Sequence, residues 1–204
     1  ERLARANGLV SDAAHLAAYR ARLWLKQGNV EAAIGWAQAS GLRVDENPSY
    51  LRESEHLTLA RVSIAQGKYV EAGRLLRQLL RVAESAGRTG SVIKILALYA
   101  TLLQTQGETN EAFAALERAL LLAEPERYVR SFVDTGVQMG ALLSRFLEAR
   151  TKGHPPAARD ALARYVAALL VAFQPGSTLA RSKASGGQSI ELAITSLSER
   201  ELEV

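Results

Sequence analysis

Three features of the sequence predict an all-α fold built from repeated helical hairpins. Gly28, Gly67 and Gly107 each interrupt an apolar helical pattern, at intervals of 39 and 40 residues. A period of this size is typical of stacked helical hairpins. An alanine lies seven residues before and five residues after each of these glycines, and only five prolines occur in 204 residues. The apolar residues follow helical spacing almost throughout, which favours helices over strands.

The paired alanines explain how each hairpin closes. The pairs are Ala21 with Ala33, Ala60 with Ala72, and Ala100 with Ala112. Two antiparallel helices joined by a tight turn approach closely only where the facing side chains are small. The glycine between them supplies the backbone freedom that ends the first helix.

These offsets resemble those of the tetratricopeptide repeat. With 34 residues per unit and the glycine fifteenth, the units are 14–47, 53–86 and 93–126, within a repeat region of residues 1–126. The resemblance implies a right-handed solenoid in which the first helix of every hairpin lines a concave groove.

Capping signals predict the helices of the first hairpin. A helix entering from the N-terminal end is expected to stop at Gly8, and Ser11 or Asp12 to cap the next helix, which runs to Gln27. Asn29 is suited to cap its partner.

Similar signals mark the later repeats. Asn47–Pro48 predicts a cap and a first helical residue, Ser91 is available as a cap for the third unit, and Glu124–Pro125 ends it. The following segment, Tyr128–Asp134, alternates too briefly to establish a strand.

The rest of the chain divides into three parts. Residues 127–173 are expected to form helices that cap the stack, namely Met139–Arg150 and Ala157 to about Phe173. Residues 174–194 are rich in glycine and serine, which predicts a flexible linker. Residues 195–204 are expected to form the start of a further domain.

Composition limits the possible functions. The net charge of +4 is spread along the chain and is weak evidence for nucleic-acid contact. There is no cysteine, which fits a reducing compartment such as the cytoplasm. The longest apolar run, Tyr165–Phe173, has nine residues, against about 20 needed to cross a bilayer, so no membrane partner is expected. No two histidines have ligand spacing on one helix, and a metal site is not expected.

The last eight residues carry a helix-start signal. Ser198 can cap the helix, Glu201 completes a capping box, and Leu197 can pack on Leu202. The sequence stops within two turns of this signal, at Val204, which predicts that the chain is a fragment of a longer protein.

This signal carries a second resemblance. Leu197–Val204, with Ser198, Arg200 and Glu201, resembles the opening of the LuxR-type (GerE-like) helix-turn-helix domain. Helical repeats, a Tyr-Val-Arg-x-Phe-Val-Asp segment at Tyr128–Asp134, a Leu-rich helix, a linker and this motif follow the order seen in MalT-like LuxR regulators. These are large ATP-dependent bacterial transcription activators.

The resemblance implies a sensing region rather than an enzyme. In such regulators an ATP-binding module precedes the repeats, the repeats sense an inducer or a regulatory protein, and a terminal domain binds DNA after self-association. The sequence has no Gly-x4-Gly-Lys-Ser/Thr phosphate loop, so ATP is not expected to bind this chain, which should carry no cofactor. DNA binding is expected only through the terminal domain, which is incomplete here.

The family positions also predict which side chains line the groove. They are His15, Arg22 and Lys26 in repeat one, Ser54 and Arg61 in repeat two, and Lys94, Thr101 and Gln104 in repeat three. Such basic and hydrogen-bonding groups suit an anionic or polyhydroxyl inducer, or an acidic segment of a partner.

Other interpretations stay open. The groove residues also fit an ordinary solvated helix face, and the chain also fits a generic tetratricopeptide scaffold that binds a protein segment. His56 is expected to pack in the core. The aromatic residues Trp24, Trp36, Tyr69 and Tyr99 are also assigned to the core.

Overall fold

The computed structural model of the chain describes residues 2–44, 48–151 and 160–174, with side chains from residue 13 onward. The helices are α1 (Arg2–Lys26), α2 (Val30–Ala39), α3 (Glu53–Ala65), α4 (Tyr69–Ser85), α5 (Thr89–Thr105), α6 (Thr109–Ala123), α7 (Arg130–Val133), α8 (Val137–Arg150) and α9 (Ala161–Ala172). A short 3-10 turn, Tyr50–Arg52, precedes α3. No strand occurs in the described ranges, and the predicted all-α class is confirmed.

The chain divides into two compact units, Glu1–Leu142 and Leu143–Val204. The first contains three hairpins, α1–α2, α3–α4 and α5–α6, as the repeat pattern predicts. Consecutive hairpins pack together, since α3 contacts both α1 and α2, and α5 contacts α4. The tetratricopeptide-like array of hairpins is therefore confirmed.

One turn geometry recurs along this array. At Gly67 the backbone has a φ of +74°, and the N–H of Lys68 donates to the carbonyl of Ser63 at 2.9 Å. This bond back over five residues, with a left-handed residue before it, is the Schellman motif. The same geometry occurs at Gly28, Gly87 and Gly107, with φ of +78°, +64° and +83°. Because Gly87 lies between hairpins, the motif closes the turn from α4 to α5 as well.

The paired alanines lie at the centre of the hairpins. All six of the alanines predicted to set the helix crossings are 0% exposed. Ala33 follows a helix start where the Asn29 side chain accepts a hydrogen bond from the N–H of Ala32 at 3.1 Å, as expected of this cap. The burial of both alanines of every pair agrees with the small-residue argument for the hairpins.

Three predicted helix starts in the repeat region are wrong. α1 runs through Gly8 and Ser11 without a break, since continuing the helix keeps backbone hydrogen bonds that a turn would lose. Pro48 is buried outside any helix, and α3 begins only at Glu53. Ser91 lies inside α5 rather than at its cap, because the Schellman turn at Gly87 starts that helix at Thr89.

The segment after the repeats is helical. Tyr128–Asp134 contains the short helix α7, which packs against α5 and has Asp134 as its C-cap, and Gly136 with φ +113° directly precedes α8. Phe132 from this segment is fully buried. The Tyr128–Asp134 motif therefore anchors the chain on the third repeat.

In the second unit the helix α9 begins at Ala161 instead of the predicted Ala157. Asp160 has non-helical backbone angles, and its side chain accepts from the N–H of Ala163 at 3.0 Å, so the cap sets the start. Its other carboxylate oxygen lies 2.9 Å from Nε of Arg150. No helix among the described residues is long and apolar enough to cross a membrane.

The predicted linker and domain start lie almost wholly outside the described residues, which end at Gln174. The residues concerned include Leu197, Ser198, Arg200, Glu201 and Leu202.

Candidate functional site

The first helix of each hairpin carries the residues predicted to line the groove. Thirteen residues before the turn glycine stand His15 on α1, Ser54 on α3 and Lys94 on α5, and all three are exposed. Equivalent positions on successive repeats therefore present the same polar row to solvent. Lys26, near the end of α1, is also exposed.

A second row lies six residues before the turn glycine. Arg22 and Arg61 are partly buried there, and Thr101 is 9% exposed. The Thr101 hydroxyl donates to the carbonyl of Leu98 at 2.7 Å, so its proton is already used within α5. Among the predicted residues, this row offers two guanidinium groups and a hydroxyl oxygen.

Arg61 lies in an unusual electrostatic environment. Burial and, to a smaller extent, the charge of Arg22 lower the pKa of Arg61 to about 10, against the opposing effect of the Asp134 charge. Its Nη1 is 3.4 Å from the carbonyl oxygen of Leu57, a long contact that satisfies little of the guanidinium. Arg61 remains a cation at neutral pH, and the contact with Leu57 uses one of its five donor N–H groups.

Asp134 was not among the residues predicted for the groove. It follows α7, and its Oδ1 lies 3.1 Å from Nη2 of Arg130 one turn earlier. Arg22, Arg61, Arg130 and Asp134 together carry three positive charges and one negative charge. The spacing of Arg130 and Asp134, at i and i+4 on a helix, is the signal from which this ion pair could have been predicted.

Gln104, also on α5, adds a polar atom with no partner. Its Oε1 is shielded from solvent and accepts no hydrogen bond from the described residues. Arg61 thus lies within range of the charges of Arg22 and Asp134, and these three residues with Arg130 form one charged cluster. Guanidinium groups suit carboxylates, phosphates and sugar hydroxyls, which are all hydrogen-bond acceptors.

The tryptophans predicted for the core lie instead at the surface of the first hairpin. Trp24 and Trp36 are only partly buried, as are Tyr69 and Tyr99, so that assignment is wrong for all four. The two tryptophans line a cleft of about 370 Å³, and the guanidinium of Arg20 stacks over Trp24 at 5.2 Å. Helical spacing does not distinguish a core aromatic from one at the end of an array.

His56, unlike these aromatic residues, is buried as predicted. It is 2% exposed, and its Nδ1 lies 2.9 Å from the carbonyl oxygen of Arg52, as expected for a packed histidine. Among the described residues no group of three His, Asp or Glu side chains is arranged to hold a metal ion.

Comparison with known proteins agrees with this architecture. The profile of the family described as the MalT-like TPR region matches residues 1–150. A curated relative, the HTH-type transcriptional regulator MalT of Cronobacter sakazakii (strain ATCC BAA-894), is 28% identical over 128 residues. The match covers 63% of this chain but only 14% of the relative. No solved structure matches significantly. Because the family profile spans most of the sequence, the chain belongs to the MalT-like TPR region family.

Proposed function

We propose that this chain is the signal-sensing and oligomerisation region of a MalT-type transcription regulator. It captures an inducer or a regulatory protein in the groove formed by α1, α3 and α5. Family membership and the relative that is a transcriptional regulator support this role. In the proposed regulator this region takes part in self-association of the whole protein, DNA and ATP bind to regions beyond the described residues, and the protein acts in the cytoplasm.

The observation that carries the proposal is the charged cluster. The charges of Arg22 on α1 and of Asp134 after α7 both act on Arg61 of α3, although 112 residues separate Arg22 from Asp134. A ligand that contacts both arginines would link two repeats and the segment that follows the third. Binding would therefore favour one arrangement of the hairpins over another, which is how a sensor region can change self-association.

The chemistry of the cluster indicates the ligand. Two cations whose charges repel gain most from a group that accepts several hydrogen bonds and carries negative charge or dense hydroxyls. Small acids and sugars have this character. An acidic peptide segment has it as well, which corresponds to a regulatory protein as the signal.

A thermal-shift and calorimetric screen tests the proposal. The chain is mixed with sugars, small acids and aromatic metabolites, and every hit is repeated with Arg22→Ala and Arg61→Ala. We expect a hit whose stabilisation is weakened by either substitution. Equal stabilisation of both variants and the unmodified chain would place the ligand elsewhere, whereas a folded chain with no hit would favour a protein signal.

A further inference from the structure

The two junctions of the array differ in the length of the helix that forms them. The first junction is the packing of the α1–α2 hairpin on α3, and the second is the packing of the α3–α4 hairpin on α5. α2 ends at Ala39, 11 residues after its turn glycine, whereas α4 runs on to Ser85, 18 residues after its own. At 1.5 Å per residue, α4 is about 10 Å longer than α2. α2 therefore offers α3 a smaller surface than α4 offers α5.

The side chains buried at the two junctions also differ. At three equivalent positions, counted back from the turn glycines, polar residues on α3 replace apolar residues on α5, and all six side chains are at most 4% exposed. They are Glu55, His56 and Thr58 on α3, and Ile95, Leu96 and Leu98 on α5. On α1, which no described hairpin precedes, Leu16 and Tyr19 hold the first and third of these positions, and both are exposed. The preceding hairpin therefore buries these positions, and the first junction holds polar groups where the second holds apolar ones.

The polar side chains of α3 form hydrogen bonds within their own segment. Oε2 of Glu55 accepts from Nε and Nη2 of Arg52 at 3.0 and 2.8 Å, and Nδ1 of His56 lies 2.9 Å from the carbonyl oxygen of Arg52. The Thr58 hydroxyl donates to the carbonyl of Ser54 at 2.9 Å. Separating the two hairpins breaks none of these bonds. It would also admit water to Nε2 of His56, which is buried and has no hydrogen-bond partner among the described residues, so the closed junction bears the cost of that unpaired group.

Direct polar contacts hold the second junction. Nη1 of Arg77 on α4 donates to the Tyr99 hydroxyl of α5 at 3.1 Å, and Oε1 of Glu84 on α4 lies 2.6 Å from Nη2 of Arg118 on α6. By repeat position Leu59 replaces Tyr99 at the first junction, and its side chain has no polar group. The hydrogen bond between α4 and α5 therefore has no counterpart at that position of α3.

The contacts across the first junction are weak or unfavourable by comparison. Nη2 of Arg52 is 3.4 Å from the carbonyl oxygen of Ser40 after α2, which is long for a hydrogen bond. Burial and then the charge of Arg22 lower the pKa of Arg61, so these two guanidinium groups repel each other across the junction. Opening the first junction therefore exposes less apolar surface and removes a repulsion.

We propose that the first junction is the hinge of the array, about which the α1–α2 hairpin swings as a unit while the second and third hairpins stay packed together. Arg22 and Arg61 lie on opposite sides of this hinge. A ligand that contacts both arginines would hold the hinge closed, and only this last step rests on the proposed function. The hinge itself is a property of the free chain.

Distances between pairs of spin labels test the hinge in the absence of any ligand, so its failure leaves the proposed function untouched. The chain has no cysteine, and labels therefore attach only to introduced ones. Gly35, Arg74 and Ala114 are exposed, and each lies seven residues after its turn glycine. Gly35→Cys with Arg74→Cys spans the first junction, and Arg74→Cys with Ala114→Cys spans the second. Tyr19→Cys with Gly35→Cys reports on the first hairpin alone.

Double electron–electron resonance gives the distance distribution of each pair. We expect the distribution across the first junction to be about twofold wider than that across the second, because only the first hairpin moves. The distribution within the first hairpin should be as narrow as that across the second junction. Equal widths across the two junctions would overturn the proposal. An equally wide distribution within the first hairpin would also overturn it, because that hairpin would then be unfolding rather than moving as a unit.

A variant that gives the first junction the side chains of the second tests which residues permit the movement. Glu55→Ile, His56→Leu and Thr58→Leu together should narrow the distribution across the first junction to the width found across the second. His56→Leu alone should narrow it in part, and it replaces the triple variant if circular dichroism shows that the triple variant does not fold. A folded variant whose distribution stays as wide as that of the unmodified junction would overturn the assignment of the hinge to these polar residues.

Discussion

Burial and then the charge of Arg22 on α1 lower the pKa of Arg61 on α3, so two guanidinium groups on neighbouring repeats repel each other. The opposing charge of Asp134 acts on the same guanidinium. A free chain with this arrangement holds one unfavourable and one favourable interaction side by side, and each can be removed separately.

We therefore predict opposite effects for two substitutions in the free chain. Arg22→Gln removes a repulsion and should raise the free energy of unfolding by up to about 1 kcal/mol, whereas Asp134→Asn removes an attraction and should lower it by a similar amount. Urea unfolding at low and high salt measures the free energy of unfolding of both variants. Salt screens the charges, so the difference between each variant and the unmodified chain should be smaller at high salt. The exposed Arg81→Gln is the control, and a same-sign result for the two variants would contradict the cluster.

The turn glycine and a helix glycine give a second matched pair. Gly67 has φ +74° and Gly35 lies inside α2, and an added Cβ meets nothing within 4 Å at either position. Gly67→Ala should therefore cost about 1–2 kcal/mol through its backbone angle alone. Gly35→Ala should gain about 0.5–1 kcal/mol from helix propensity. Thermal unfolding compares the two variants. If both destabilise the chain, the cost would come from a steric clash of the added methyl group rather than from the backbone angle.

The hairpin crossing predicts a steric effect in the third repeat. Ala112 is 0% exposed on α6, and Ala114 on the same helix is exposed. Ala112→Leu should destabilise the chain by about 1–3 kcal/mol because the helices must separate. Ala114→Leu should stay within about 0.5 kcal/mol of the unmodified chain. Chemical denaturation of both variants checks this, and equal stabilities would show that the helices do not meet closely at Ala112.

The cap of α9 predicts a pH dependence. The hydrogen bond from the N–H of Ala163 and then that from Arg150 lower the pKa of Asp160 below its ordinary 3.8. A carboxyl with a lowered folded pKa contributes stability that is fully present above 3.8 and is lost as the pH falls through the folded value.

Two variants of Asp160 separate the effect of its capping hydrogen bond from the effect of its negative charge. Asp160→Ala should lower the helicity of α9 at pH 7, while Asp160→Asn should keep the cap but lose the change between pH 5 and pH 2. Circular dichroism across that range measures it, and identical acid profiles for Asp160→Asn and the unmodified chain would refute this role.

The parts of the fold that could be predicted from sequence are the ones fixed by local chemistry. Gly28, Gly67 and Gly107 end their helices through a backbone angle that glycine alone adopts readily, so their role can be predicted from spacing. Ser91 looks like a cap in isolation, yet the turn at Gly87 has already started α5 two residues earlier. A capping residue therefore predicts the wrong helix start where a neighbouring turn begins the helix earlier.

The site was predictable only in part for a similar reason. Arg22 and Arg61 follow from repeat positions, because equivalent residues on the first helices face the same way. Asp134 comes from outside the repeats, and its charge acts on Arg61 because α7 packs on the third repeat. Trp24 and Trp36 follow the helical spacing of core residues, but both are only partly buried.

The most direct test of the groove as the sensing surface is hydrogen–deuterium exchange with the compound that stabilises the chain most in the screen. We predict slower amide exchange in α1, α3 and α5 on binding, and loss of this protection with Arg61→Ala but not with Arg81→Ala. Protection confined to α2, α4 and α6, or unchanged by Arg61→Ala, would contradict binding in the groove.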